Sequence, residues 1–212
     1  MPSSLYIVGA GGFGRELFNW IKQHPDSGKA WKFAGFLDDN ADALKGFDHY
    51  QPGVVGSVMG YKPKAGEVLL CSISVPKIKR PIVEDLQKRG AEFISFVHPR
   101  ATVGGNVRIG MGTIICPGVV VTCDVTLGDF VLLNVNSTVG HDAKVGHYVT
   151  AAAHTDVTGF CTVGDGVTLG SHAHLIPHSK VGDGATVGAG ACVVTPVEAG
   201  TTVVGNPATK LR

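Results

Sequence analysis

Aromatic side chains are scarce in this chain, 7% of residues, and charged ones are few at 17%. There is no Lys/Arg run, and the formal net charge is +1. The clustered positive charge that nucleic acid or an acidic membrane surface requires is therefore missing, and neither is expected as a partner. No stretch approaches the ~18 uninterrupted apolar residues of a membrane span. The opening Met1-Pro2-Ser3-Ser4-Leu5-Tyr6-Ile7-Val8 lacks the basic region and long apolar segment of a secretory leader, so a soluble, cytoplasmic protein is expected. The five cysteines, Cys71, Cys116, Cys123, Cys161 and Cys192, are odd in number and contain no C-x-x-C pair, which suits reduced, mostly buried thiols better than a disulfide framework or a zinc knuckle. What the chain has instead is glycine, 30 in 212 residues, and so much glycine with so little aromatic surface points to a repeat architecture.

The two halves follow different periods. Up to about residue 96, short apolar runs alternate with helix-like segments: strands are predicted at Leu5–Val8, Phe33–Leu37 and Val68–Ser72, and helices at Phe13–Gln23 and Lys77–Arg89, the second with Ile78, Ile82, Val83 and Leu86 on one face. That is a βαβ pattern with a parallel sheet, an α/β domain over 1–96. From Val97 every sixth residue is apolar, through Val121, Val139, Val157 and Leu175 to Val193, seventeen positions without a slip. The residue four further on is small or aliphatic, and the one just after is often glycine, as at Gly104, Gly110, Gly128 and Gly140. Each hexad is read as one short strand and one corner of a triangular solenoid, with the aliphatic residue inside and Gly, Asp, Asn or Pro supplying the corner dihedrals. Three hexads make one coil of 18 residues, so the solenoid over 97–198 has almost six coils, followed by a closing segment at 199–212.

Gly9-Ala10-Gly11-Gly12-Phe13-Gly14 fits G-x-G-x-x-G after a predicted strand and at the start of a helix, where glycines let the backbone approach a pyrophosphate. Asp38 and Asp39 follow at the end of the next strand, where an acidic side chain can accept hydrogen bonds from a ribose or base. Ser72 and Ser74, with Lys77, end the Val68 strand and can complete a phosphate cradle, although Ser74 equally suits an ordinary helix N-cap. A domain of this size matches one mononucleotide-binding half, which favours a nucleotide diphosphate over NAD.

Six histidines fall in the repeats: His141, His147, His154, His172, His174 and His178. The 18-residue period stacks His154 on His172, Asp142 with Phe160 and His178, and His141 between Cys123 and Gly159. His141 alone among them is followed directly by a carboxylate, Asp142, which can fix the ring tautomer and raise its basicity. Asn134 and Asn136 offer amides one hexad earlier.

On these repeats, and on the closing Val203-Val204-Gly205-Asn206-Pro207-Ala208, the second half resembles the left-handed parallel β-helix of the hexapeptide-repeat acyltransferases. With the Gly-rich first domain included, the chain resembles the nucleotide-sugar N-acetyltransferases that acetylate a 4-amino deoxysugar, with sialic-acid O-acetyltransferases as relatives. The resemblance implies an acetyl-CoA cosubstrate, no metal, and a homotrimer with acetyl-CoA in the grooves between chains. It implies His141 and Asp142 as catalytic pair and Asn134 at the amino sugar. Gly9, Gly11, Gly12, Gly14, Asp38, Asp39, Ser72 and Ser74 would form the nucleotide-sugar site. Thr150, His154, Gly159, Gly205, Asn206 and Pro207 would lie at acetyl-CoA. Thr150 stands where UDP-sugar relatives can carry a second histidine, a departure that points to another substrate, a GDP-linked perosamine-like sugar.

The chemistry is coherent, since a protonated amine cannot attack a thioester: His141 takes the proton and a corner N–H such as that of Gly159 holds the oxyanion. Two other enzyme readings are weaker. A trimeric zinc hydratase of the same solenoid type would need an H-x-x-x-x-H pair that is absent, and an NAD-linked oxidoreductase would need a second dinucleotide-binding half. A non-catalytic nucleotide-sugar-binding module and an O-acetyltransferase stand as alternatives to the N-acetyltransferase.

Overall fold

Alternating apolar residues build the first strand: Leu5, Ile7 and Val8 are wholly buried in β1 (Ser3–Val8), the centre of a parallel sheet. In the computed structural model, which describes residues 2–211, the chain divides into two compact units, Met1–Ile94 and Ser95–Arg212. The first continues with α1 (Gly12–Gln23), β2 (Trp31–Leu37), β3 (Val54–Gly56), β4 (Glu67–Cys71) and α2 (Pro76–Lys88). The sheet order is β3-β2-β1-β4, all parallel. β3 is a strand the sequence reading lacked; with three residues and only Val54 and Val55 apolar, it is too short to show a period. The chain runs outward from β1 to β3 and returns to pair β4 on the other side of β1. The β1/β4 junction is thus the point where the strand order reverses, and ligands of open α/β sheets bind outside the strand ends at such a point.

Helix α1 buries Gly14, Leu17, Phe18 and Ile21, spaced for one helical face. Helix α2 corrects the sequence reading. Its buried face is Pro76, Lys79, Val83 and Leu86, while Ile78 is exposed. Its N-cap is Val75 with Pro76 in the first turn, so Ser74 stands one residue outside the cap. Among the described residues, no helix is long and apolar enough to cross a membrane.

The second unit is a parallel β-solenoid. Two-residue strands recur every six residues from β5 (Phe96–Val97) to β21 (Cys192–Val193), then β22 (Thr202–Val204) closes the last coil and β23 (Thr209–Lys210) pairs back antiparallel. The strands form three sides: eight strands ending on β23 and β22 with β5 at the far edge, six from β21 to β6, and five from β19 to β7. Partners from β5 to β21 are 18 residues apart, as in Thr138↔Asp156 and Val139↔Val157, and the closing coil is shorter, with Thr186 paired to Thr202. The inward Val121, Val139, Val157, Leu175 and Val193 form one wall of a dry core, and buried hydroxyls at the corners return to carbonyls: Ser137 Oγ donates to Ala152 O at 3.0 Å, Thr155 Oγ1 to Ala152 O at 2.7 Å and Ser179 Oγ to Ile176 O at 2.6 Å. The Val97, Val103 and Ile109 side chains of the first coil are only half-buried, since no earlier coil covers them.

Gly, Asp and Asn do supply the left-handed corner dihedrals, but not every corner glycine is there for that purpose. Those just after the inward residue have no positive φ; a Cβ at Gly128 would lie 2.7 Å from the Gly146 carbonyl carbon, and one at Gly140 2.6 Å from the Gly159 nitrogen. They allow neighbouring coils to approach. The left-handed dihedral falls two residues later, at Asn106, Asp124, Asp142, Phe160 and His178 on one corner, and at Gly166 and Gly184 on another.

Two measurements test this account. Gly128→Ala should cost about 3 kcal/mol, the upper end for overpacking because backbone must move. Gly184→Ala, strained in φ with open space around it, should cost about 1 kcal/mol; thermal denaturation ranks them. In the first unit, burial holds the Lys79 pKa down to about 8, with the adjacent Cys71 acting weakly the other way. The unfolded chain therefore binds more protons above that pH, and stability should rise as pH increases through it. Burial raises the Cys71 pKa, which opposes the rise above the ordinary thiol range. Urea midpoints at about pH 7.5 and about pH 9 should show the increase in the wild type and lose it in Lys79→Met.

Candidate active site

The glycine loop lies at the carboxyl end of β1, beside Ser72 at the end of β4 and Asp38 at the end of β2. Its glycines separate into two kinds. Gly9, at φ +96°, and Gly14 are demanded by the chain itself: a Cβ on Gly9 would stand 2.7 Å from Ser72 Oγ, and one on Gly14 would strike the Gly9 carbonyl oxygen. Around Gly11 and Gly12 there is open space, and both are exposed. Gly11 caps α1 without a side-chain hydrogen bond, and no acidic residue occupies the first turn, so the positive end of the helix dipole faces outward unneutralised. A backbone stripped of side chains at a helix N-terminus suits a phosphate.

The polar residues expected around this loop brace it. Asp38 Oδ2 accepts from Ala10 N at 2.8 Å and its Oδ1 from Asn40 N at 2.9 Å, while Asp39 Oδ1 accepts from Met59 N at 3.0 Å. Ser72 Oγ is buried and donates to the carbonyls of Val8 and Gly9, each at 2.9 Å. Ser74 and Lys77 are exposed. A pocket of about 420 Å³ in this unit, between Tyr6, Tyr61, Lys62 and Glu67, includes none of the loop glycines; Gly11 and Gly12 form an exposed, open shelf.

In the solenoid, His141 and Asp142 occupy the corner that follows β12 (Thr138–Val139). Asp142 takes φ +60°, and the turn aims its carboxylate back at the preceding ring: His141 Nδ1 lies 2.9 Å from Asp142 Oδ2. The carboxylate only accepts, so Nδ1 is the donor, and in the neutral ring Nε2 is left with its lone pair. The ring is 55% exposed. It lies against Gly159 one coil on, where a Cβ would come within 2.8 Å of both Cε1 and Nε2. The Phe160 ring meets it perpendicularly at 5.0 Å, backed by His178 stacked on Phe160 at 4.9 Å.

Sequence adjacency makes this His–Asp pair look unique, but space supplies two more. His174 Nδ1 bonds Asp156 Oδ2 at 2.9 Å across one coil, and Asp156 also accepts from Thr138 Oγ1. His147 Nδ1 lies 3.2 Å from Asp129 Oδ2, yet that same nitrogen accepts the Asp129 N–H at 3.0 Å. His147 is thereby held in the opposite tautomer. It belongs to a ladder on its corner in which each backbone N–H is accepted by the side chain one coil on: Met111 by Asp129, Asp129 by His147, His147 by Asp165 and Asp165 by Asp183. At the His141 corner the corresponding side chains are absent, because the residues one coil on are Gly159 and Pro177. Neither the His141 N–H nor the Gly159 N–H has an acceptor among the described residues. Two open donors thus stand on this corner, whereas on the His147 corner the ladder takes them up; His174 lies in β18 (His174–Leu175), not on a corner.

Other residues singled out in the sequence lie elsewhere on the solenoid. Asn134, Asn136, His154 and His172 sit on the corner before β12, at the opposite end of that strand from His141; the two imidazoles stack at 4.8 Å. Asn134 Oδ1 accepts from Val135 N at 2.7 Å. Thr150 is buried in β14 (Thr150–Ala151). Gly205, Asn206 and Pro207 loop over the last coil, where Cys192 N donates to Gly205 O and Ala208 N to Cys192 O. Cys123 is exposed one coil before His141, and its hydrogen bond to Asp124 raises its pKa, which keeps it a thiol. Among the described residues, no three His, Cys, Asp or Glu side chains are grouped to hold a metal ion.

Comparison with known proteins follows the same division. Residues 4–86 match the PglD N-terminal domain family, and residues 160–195 match the bacterial transferase hexapeptide family of six repeats. A GDP-perosamine N-acetyltransferase of Escherichia coli O157:H7 is 31% identical over 136 residues, 64% of this chain and 61% of that protein. A UDP-N-acetylbacillosamine N-acetyltransferase of Bacillus subtilis (strain 168) is 28% identical over 110 residues, 51% of this chain and 49% of that protein. The matches thus span less than two thirds of either curated relative. The acetyltransferase domain of PglB from Neisseria gonorrhoeae FA1090, solved in complex with acetyl coenzyme A, superposes over 100% of both chains with a TM-score of 0.85 at 28% identity. The chain thus joins a match to the PglD N-terminal domain to a run of bacterial transferase hexapeptide repeats, and over its full length it is similar in fold to that acetyltransferase domain.

Proposed function

We propose that this protein transfers the acetyl group of acetyl-CoA to the amino group of a nucleotide-linked deoxyamino sugar, with a GDP-linked 4-amino sugar of the perosamine type as acceptor. The observation that carries the reading is the His141 corner: a base with its tautomer set by Asp142, next to two N–H donors with no acceptor. Nε2 of His141 removes the proton as the sugar amine attacks the thioester carbonyl. The negative charge on the carbonyl oxygen falls to the Gly159 N–H, and collapse of the tetrahedral intermediate expels the CoA thiolate. No side-chain nucleophile takes part. The relatives named for GDP-perosamine and UDP-N-acetylbacillosamine acetylation support the acceptor class.

The open shelf at Gly11 and Gly12 supports binding of the nucleotide diphosphate in the first unit. The residues named for sugar and acetyl-CoA, Asn134 and His154, lie at the far end of β12 from His141. A homotrimer that sets one corner of each chain beside the other corner of its neighbour would complete the site; sedimentation should read three times the 22.0 kDa chain mass. A cytoplasmic location suits the five free cysteines.

The test is release of free thiol from acetyl-CoA with a panel of GDP-, UDP- and dTDP-linked 4-amino sugars. Turnover is expected to be fastest with the GDP sugar. His141→Asn should lower kcat by roughly 10²–10⁴-fold and abolish the acid limb of the pH profile, whereas His174→Asn should leave both in place. Retention of more than about a tenth of the activity in His141→Asn would reject the assignment of the base. In the same assay Gly11→Val, whose Cβ would meet nothing within 4 Å in the chain itself, should raise KM for the nucleotide sugar and leave KM for acetyl-CoA unchanged.

A further inference from the structure

Phe160 is difficult to explain as part of the solenoid. It takes φ +60°, a dihedral that costs a residue with a Cβ roughly 1–2 kcal/mol. Equivalent positions are filled by glycine at Gly112, Gly118, Gly166, Gly184 and Gly190, and otherwise mostly by Asn, Asp or His: Asn106, Asp124, Asn136, Asp142, His154, His172 and His178. Two other aromatics accept the same dihedral, Phe130 and Tyr148, but they stack on each other and are buried at 2% and 7% exposure. Phe160 is 48% exposed, so its ring gains little from burial within the chain. Its position is nonetheless well defined. His178 stacks behind it within 7° of parallel, and its ring stands at 89° to the His141 imidazole.

We propose that Phe160 sets the acyl-chain length this enzyme accepts, as the wall against which the methyl of the donor's acetyl group ends. The proposal rests on the reading of His141 as base and the Gly159 N–H as oxyanion donor. The reacting carbonyl then lies beside Nε2 and over Gly159. The next residue in the chain is Phe160, so its ring bounds the same space one coil on. A rigid aromatic wall, held by a stacked imidazole and presented at the reacting centre, admits a two-carbon acyl group and excludes longer ones. Steric exclusion is the economical device here, because the pull of one methylene on binding is worth only about 10–200-fold. The side chain would then be retained at a dihedral suited to glycine because removing it widens the pocket.

The experiment compares acetyl-, propionyl- and butyryl-CoA with the wild type, Phe160→Gly and Phe160→Leu. Glycine adopts the +60° dihedral freely, so Phe160→Gly should keep or raise the thermal midpoint, and Phe160→Leu keeps an apolar side chain of smaller reach. Two readouts are taken: kcat/KM for transfer to the amino sugar, and calorimetric affinity for each acyl-CoA without acceptor. In Phe160→Gly the butyryl-to-acetyl ratio should rise by roughly tenfold or more in both readouts, with a smaller rise in Phe160→Leu. A ratio within about twofold of wild type in both folded variants would overturn the gate. Should the wild type transfer acetyl to no sugar, the function itself would be rejected, and the affinity ratio would still decide whether Phe160 limits the acyl chain.

Discussion

Coil-on-coil stacking governs this molecule. Parallel hydrogen bonds hold each short strand against the one 18 residues away, at the spacing of about 4.8 Å that β pairing imposes. At that distance every side chain has a fixed neighbour one coil before and one coil after. The inward residues must be aliphatic to fill a narrow prism, and glycine must stand wherever the backbone of the next coil leaves no room for a Cβ. The site follows from the same rule, since the residue that meets the His141 ring is dictated to be residue 159.

That geometry explains why one His–Asp pair differs from the others. His147 and His174 each find a carboxylate one coil away, so a histidine near an aspartate is a common product of stacking. At His147 the ladder of backbone N–H groups and side-chain acceptors uses up both the donor and the Nδ1 lone pair. At His141 the carboxylate comes from the next residue in the chain, through the left-handed turn at Asp142, and the coil-to-coil position is left to Gly159. The turn at Asp142 sets the ring tautomer, and the lack of an acceptor side chain at Gly159 and Pro177 leaves the backbone donors open. Phe160 belongs to the same economy: its neighbour supplies the open N–H, and its own ring borders the space this creates.

In the first unit the controlling feature is the reversal of strand order between β1 and β4. It gathers the loop after β1 and the start of the segment after β4 at one edge, with Asp38 closing from β2. The acidic residue in this position is a brace, because Ala10 and Asn40 already donate to its two oxygens. What the loop offers a ligand is therefore backbone. Gly11 and Gly12 stay bare although the fold itself does not require it, and the helix behind them has no capping side chain or acidic residue.

The hexad period made the solenoid legible in the sequence, because one aliphatic position recurring seventeen times in phase admits no other packing. It also stated which residues stack, including Phe160 on His178 and His154 on His172. The βαβ start and the G-x-G-x-x-G loop were readable as well, since strand, turn and helix each leave a local signature. The rest needed tertiary structure. A three-residue strand such as β3 is too short for any period, and the burial of Lys79 in place of Ile78 depends on where α2 packs. That His147 is held in the opposite tautomer from His141 and His174 depends on hydrogen bonds between residues 18 apart. Which glycines are there for the chain and which are left open depends on what a Cβ would meet, and that is a property of neighbours brought together only by the fold.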